Sequence, residues 1–143
     1  MRDDLRLTPA DAVRLAQDLI DDGRPFHAHE VLEAAWKSAP AQDRALWKGL
    51  AQIAVGLTHA RRGNSRGAVS LLRRGAAAVA DYAAAGDGGR TGQDATVIRA
   101  RATGPAGMNL AGVTDGAKAL ADRIARLGLD AVPPADLRVA LTT

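Results

Sequence analysis

The residues with the most chemical capacity crowd into eleven positions, Phe26 to Trp36, reading FHAHEVLEAAW. This stretch holds two of the three histidines, the single phenylalanine, one of two tryptophans and the only two glutamates, Glu30 and Glu33. Fourteen other acidic residues are all aspartate, so the longer carboxylate is reserved for positions where reach matters. Phe26, His29, Glu33 and Trp36 are spaced three, four and three apart and line up along one helix face. A His and a carboxylate at i, i+4 can face one ion or one small ligand, and Glu30, about 100° around the helix from His29, is the candidate base toward a bound water. His27 points nearly the opposite way from His29 and is expected to take no part.

A second set lies downstream. Gly49, Gln52, Gly56, His59 and Gly63 form two interleaved series with a seven-residue step, which puts them near one stripe of a helix. A mid-helix glycine costs about 1 kcal/mol relative to alanine, so Gly49 and Gly56 imply close approach by another helix. If that helix carries His29, then His29, Glu30, Glu33 and Trp36 meet Gln52 and His59 in a buried polar contact. Three readings follow. A structural network would satisfy the lone pairs internally. A small-ligand or partner pocket would use Trp36 and Trp47 as apolar walls. A divalent-metal site would use His29, Glu33 and His59, two histidines and a carboxylate being a known ligand set, and could support metal-dependent hydrolysis. HEVLE is not HExxH, because Glu33 stands where the second histidine would be, so a zinc-protease reading is not supported. A non-enzymatic binding or structural role is favoured, with no cofactor assigned.

The chain is basic overall, with a net charge of +3 and a pI near 9.9, and the surplus lies after residue 60. Arg61, Arg62, Arg66, Arg73 and Arg74 cluster around the turn RRGNSRGAV, where Arg62, Asn64 and Arg66 could hold a phosphate at a helix N-terminus. Solvated arginine on helix faces is the commoner explanation of such a surplus. No aromatics interleave with it, so nucleic-acid binding is not expected.

These side chains need a scaffold of helices. Thr8 and Pro9 open a first helix over about 9–22, with apolar Ala12, Leu15, Ala16 and Leu19, and Gly23 stops it. Pro25 and Pro40 bracket a second helix from Phe26 to Ser38. The third, about 42–62, carries Leu46, Leu50, Ile53 and Leu57 and is apolar nearly all round, so it should be central. Gly63 suits a left-handed C-terminal cap and Asn64 an N-cap, giving a helical hairpin into a fourth helix over about 65–85 that buries Ala68, Leu72, Val79 and Ala83. Residues 86–108 contain six glycines and read as a long, disordered loop with one short ordered piece at 95–102. Leu110, Val113, Ala117, Leu120, Ile124 and Leu127 mark a fifth helix, and an extended tail around Pro133–Pro134 should pack across the surface.

The fold class expected is therefore all-α, one domain over 1–143 built as a multihelical bundle around a central hairpin. With 143 residues and 3% aromatics, the core must come from Leu, Val, Ile and Ala on closely packed helices. Cysteine is absent, which excludes disulfides, thiol catalysis and Cys-ligated metals. Neither a signal-peptide core nor a membrane-length apolar run is present, so a soluble cytoplasmic protein without a membrane partner is expected. Homo-oligomerisation through the apolar surface of the short helices is possible.

FHAHEVLEAAW followed by LWKGLAQIAVGLTHARRGNSRGAVSLL resembles the bacterial and archaeal family known as domain of unknown function 309. The His-x3-Glu-x2-Trp signature of that family maps onto His29, Glu33 and Trp36, and its glutamine-bearing helix and following turn map onto Gln52, His59, Gly63, Asn64 and Gly67. The resemblance covers about residues 10–84 and implies a multihelical fold without an assigned activity. Gly56, His59, Gly63, Ala68 and Leu72 also weakly resemble one tetratricopeptide hairpin. No second copy follows, so only a close antiparallel helix pair is taken from it.

Overall fold

The computed structural model describes residues 7–88 and 107–142. Among them are five α-helices and no strand: α1 Pro9–Asp21, α2 Pro25–Ser38, α3 Arg44–Arg61, α4 Ser65–Gly88 and α5 Leu110–Leu127. Each helix packs chiefly on its neighbours in the chain, and α3, with eleven buried residues, is the central one. The all-α expectation holds.

Local chemistry explains the helix boundaries. Thr8 caps α1 by accepting the Asp11 N–H at 3.1 Å, with Pro9 at the first helical position. At its end Gly23 takes φ 78°, while the Gly23 and Arg24 amides donate to Ile20 and Leu19 carbonyls. The α3–α4 turn repeats this geometry: Gly63 has φ 82°, its amide donates to Ala60 O, and the Asn64 amide donates to His59 O. Both are Schellman closures, which need a residue that tolerates positive φ. A 3-10 turn, Ala41–Asp43, precedes α3, so the α-helix proper begins two residues later than the expected start at 42. Tyr82 of α4 donates to Asp43 Oδ1 at 2.7 Å and ties that turn down.

The glycines of α3 face α4 instead of α2. A Cβ on Gly49 would lie 2.9 Å from Ala78 Cβ and 3.1 Å from the Gly75 carbonyl, and one on Gly56 would lie 3.0 Å from the Leu72 backbone nitrogen. Gly75 answers from the other side, where a Cβ would lie 2.6 Å from the Gly49 carbonyl and 2.5 Å from Ile53 Cγ1. Contacts run from Gly49–Ala78 to Gly56–Ala68, rising on one helix as they fall on the other, so the pair is antiparallel. The expected approach of α2 to this stripe is thus corrected: α2 packs on the adjacent face of α3.

Two further expectations change. In α1 the buried positions are Ala12, Val13, Ala16 and Ile20, whereas Leu15 is 39% exposed. Both described ends of the glycine-rich stretch 86–108 belong to regular structure: α4 continues to Gly88, and Met108 pairs in an antiparallel bridge with Thr142. The ordered piece expected at 95–102 lies outside the described residues. The tail packs as expected, burying Val132, Leu137, Val139 and Leu141. Gln17 of α1 grips it, accepting the Leu141 N–H at 2.6 Å and donating to Val139 O at 3.3 Å. Arg61, lying against Gly23, donates to Pro134 O at 3.2 Å, and Arg123 pairs with Asp136 at 3.0 Å.

Candidate functional site

Helix α2 sits between two grooves. On one side, α2 and α3, with Leu71 of α4, enclose a groove of about 170 Å³. His29, Glu33 and Trp36 line it from α2, and Lys48, Ala51, Gln52 and Val55 from α3. The four α3 residues are spaced three, one and three, one stripe of that helix. Here the expected meeting of His29, Glu33 and Trp36 with Gln52 is realised. Lys48 was not foreseen, although its position four residues before Gln52 places it on the same face.

The groove is open to solvent. Side-chain exposure is 23% for His29 and 40% for Glu33, and Phe26 is 46% exposed, so the pair is only partly sheltered by its aromatic neighbours. The expected buried network is corrected to a half-buried surface groove. His29 Nε2 stands 4.0 Å from Glu33 Oε1, too long for a hydrogen bond, and His29 Nδ1 is buried without a hydrogen-bond partner. The Phe26 ring leans on His29 with centroids 5.8 Å apart, and the Lys48 ammonium lies 5.9 Å from the centre of the Trp36 ring. Trp36 packs against the core from this rim, whereas Trp47 is 2% exposed and wholly core.

His59 takes another place. Seven residues beyond Gln52, it is about 10 Å farther along the helix axis. Its Nδ1 lies 3.0 Å from Asn64 Nδ2, in the α3–α4 turn. Among the described residues no three His, Asp or Glu side chains are grouped closely enough to hold a metal ion, which corrects the ligand set His29, Glu33 and His59. Asn64 is itself committed: Oδ1 accepts the Gly67 N–H at 2.9 Å, occupying a free amide of the α4 N-terminus that the phosphate reading would use. Arg62 and Arg66 are exposed beside it, and Arg73 pairs with Asp122 of α5 at 2.9 Å.

On its other side α2 faces α1 across a larger groove of about 480 Å³. Glu30, expected beside His29, is exposed and lines this groove together with His27. Its walls are Ala12 and Leu19 of α1 and Val31, Ala34 and Ala35 of α2. His27 was set aside in the sequence. The signal that finds it is the series 27, 30, 31, 34, 35, 38, which repeats at helical spacing.

Residues 13–71 match the family model Domain of unknown function (DUF309). Both α2 grooves fall almost wholly within the DUF309 match, which begins inside α1 and ends inside α4. The uncharacterized protein YpuF of Bacillus subtilis (strain 168) is 46% identical over 48 residues, a stretch that is 33% of this chain and 28% of that relative. The similarity to DUF309 noted from the motif is therefore confirmed, and neither comparison names an activity. No solved structure matches the chain at a significant level. No helix among the described residues is long and apolar enough to cross a membrane.

Proposed function

We propose that the chain is a non-catalytic binding protein whose α2–α3 groove holds a small, uncharged or zwitterionic ligand. The observation that carries this reading is the unsatisfied hydrogen-bonding capacity of His29, one ring nitrogen buried without a partner and the other 4.0 Å from Glu33. A closed structural network would satisfy both atoms, since an unpaired buried polar group costs about 1–3 kcal/mol. A ligand seated between His29 Nε2 and Glu33 would supply the hydrogen bonds that their 4.0 Å separation leaves unmade. Glu33 and Lys48 place one charge of each sign at the groove, which disfavours a polyanion and suits a group that both donates and accepts. Trp36, Val55 and Leu71 supply apolar wall.

The test is two-dimensional NMR of the full chain against a panel of small amino acids, amides and betaines. Shifts confined to α2 and α3, saturating with concentration and lost in His29→Ala, are expected. Should no compound perturb the groove while His29→Ala and Glu33→Ala each lower the melting temperature by several degrees, the residues serve a structural network instead.

A further inference from the structure

The α1–α2 groove is separate from the site just discussed and lies on the opposite flank of α2. Its lining on α2 runs from His27 to Ser38, twelve residues spanning about 16 Å of helix. Small residues, Ala12 on one wall with Ala34 and Ala35 on the other, leave room for a third helix to approach closely. Leu7 at one end is 46% exposed, and Leu15, in helical register with the wall residues Ala12 and Leu19, is 39% exposed, so apolar surface extends past the groove itself. The charge at its edge has one sign. Among the described residues Glu30 has no hydrogen bond or ion pair, and no described lysine or arginine lines the groove.

We propose that this groove receives a short amphipathic helix of a partner protein, its apolar face seated between α1 and α2 and a lysine or arginine set against Glu30. Three turns of helix match the length, alanine walls match the close approach, and the uncompensated carboxylate selects a basic occupant over an acidic one. His27, beside Glu30, adds a polar contact at the same rim.

Fluorescence anisotropy with the full chain tests this. The probe is a labelled helical peptide of about 14 residues with leucines at i, i+4, i+7 and i+11 and flanking arginines; its twin carries glutamates in place of arginines. The arginine peptide should bind saturably and about tenfold or more tighter than its twin, the preference should reverse in Glu30→Arg, and both should be lost in Ala34→Arg. Ala34 and Ser38 are both exposed, so Ser38→Arg repeats the blocking test at the far end should Ala34→Arg fail to fold. Equal binding of the two peptides, or binding indifferent to both blocking variants, overturns the proposal. So does a dimer detected by sedimentation that Ala34→Arg dissociates without any peptide being bound, because the occupant is then a second copy of the chain.

Discussion

Asn64 holds two elements with one amide. Its oxygen accepts the Gly67 N–H and caps α4, which leaves Nδ2 facing His59, so the His59 ring accepts through Nδ1 and carries its proton on Nε2. Replacing Asn64 by alanine removes both contacts and should cost about 1–2 kcal/mol, the loss expected of a helix cap. Asn64→Asp keeps the cap acceptor while losing the donor to His59, so it should fall between the two. Urea denaturation midpoints give the order directly. His59, Asn64 and Gly67 thus form a turn whose geometry accounts for all three: a Cβ on Gly67 would lie 2.6 Å from Asn64 Nδ2 and 3.0 Å from His59 Cγ. Sequence spacing put His59 on the face of Gln52 correctly. What spacing does not encode is that two turns of separation carry it past the groove that Gln52 lines.

At the level of helices, what periodicity reveals is which residues share a face, and what it leaves open is which neighbour covers that face. Gly49 and Gly56 were recognisable as a close-packing stripe, yet their partner is α4, because Gln52 lies about 60° around the helix from Gly49 and belongs to the next face. The exposed Leu15 has a related cause. Its helix turns Gln17 to the buried tail, a segment without periodicity, so the face that contact selects is not legible in the sequence. Helix ends, by contrast, follow from caps and breakers such as Thr8, Gly23 and Gly63, and agree to within about three residues. The glycine contacts yield a paired prediction. Gly75→Ala drives a methyl into the Gly49 carbonyl and should destabilise by about 1–3 kcal/mol. Gly116→Ala on α5 meets only Val139 Cγ1 at 3.6 Å and should stabilise by up to about 1 kcal/mol through helix propensity. Thermal melts of the two variants should move in opposite directions.

Over the molecule as a whole, the tail joins elements that the helical order keeps apart. Gln17 reaches Val139 and Leu141 across separations of 122 and 124 residues, while Arg61 and Arg123 fix the segment around Pro134 and Asp136 from α3 and α5. Four buried apolar side chains accompany it, each contributing about 1.5–3 kcal/mol, a sum comparable to the whole stability of a domain. Deleting residues 132–143 should therefore abolish the cooperative melting transition, with exposed apolar surface detectable by dye binding.

The tail also sets the order of events in folding. Hairpins between successive helices from α1 to α4 close short loops and should assemble quickly, whereas joining Gln17 to Leu141 closes a loop of 124 residues and carries a larger entropic cost. That contact belongs on the native side of the transition state. Gln17→Ala should then accelerate unfolding while leaving the refolding rate nearly unchanged, a split that the two arms of a chevron plot report separately. During synthesis the helices can associate as they emerge, but α1 cannot be locked in place until Val139 and Leu141 have been added.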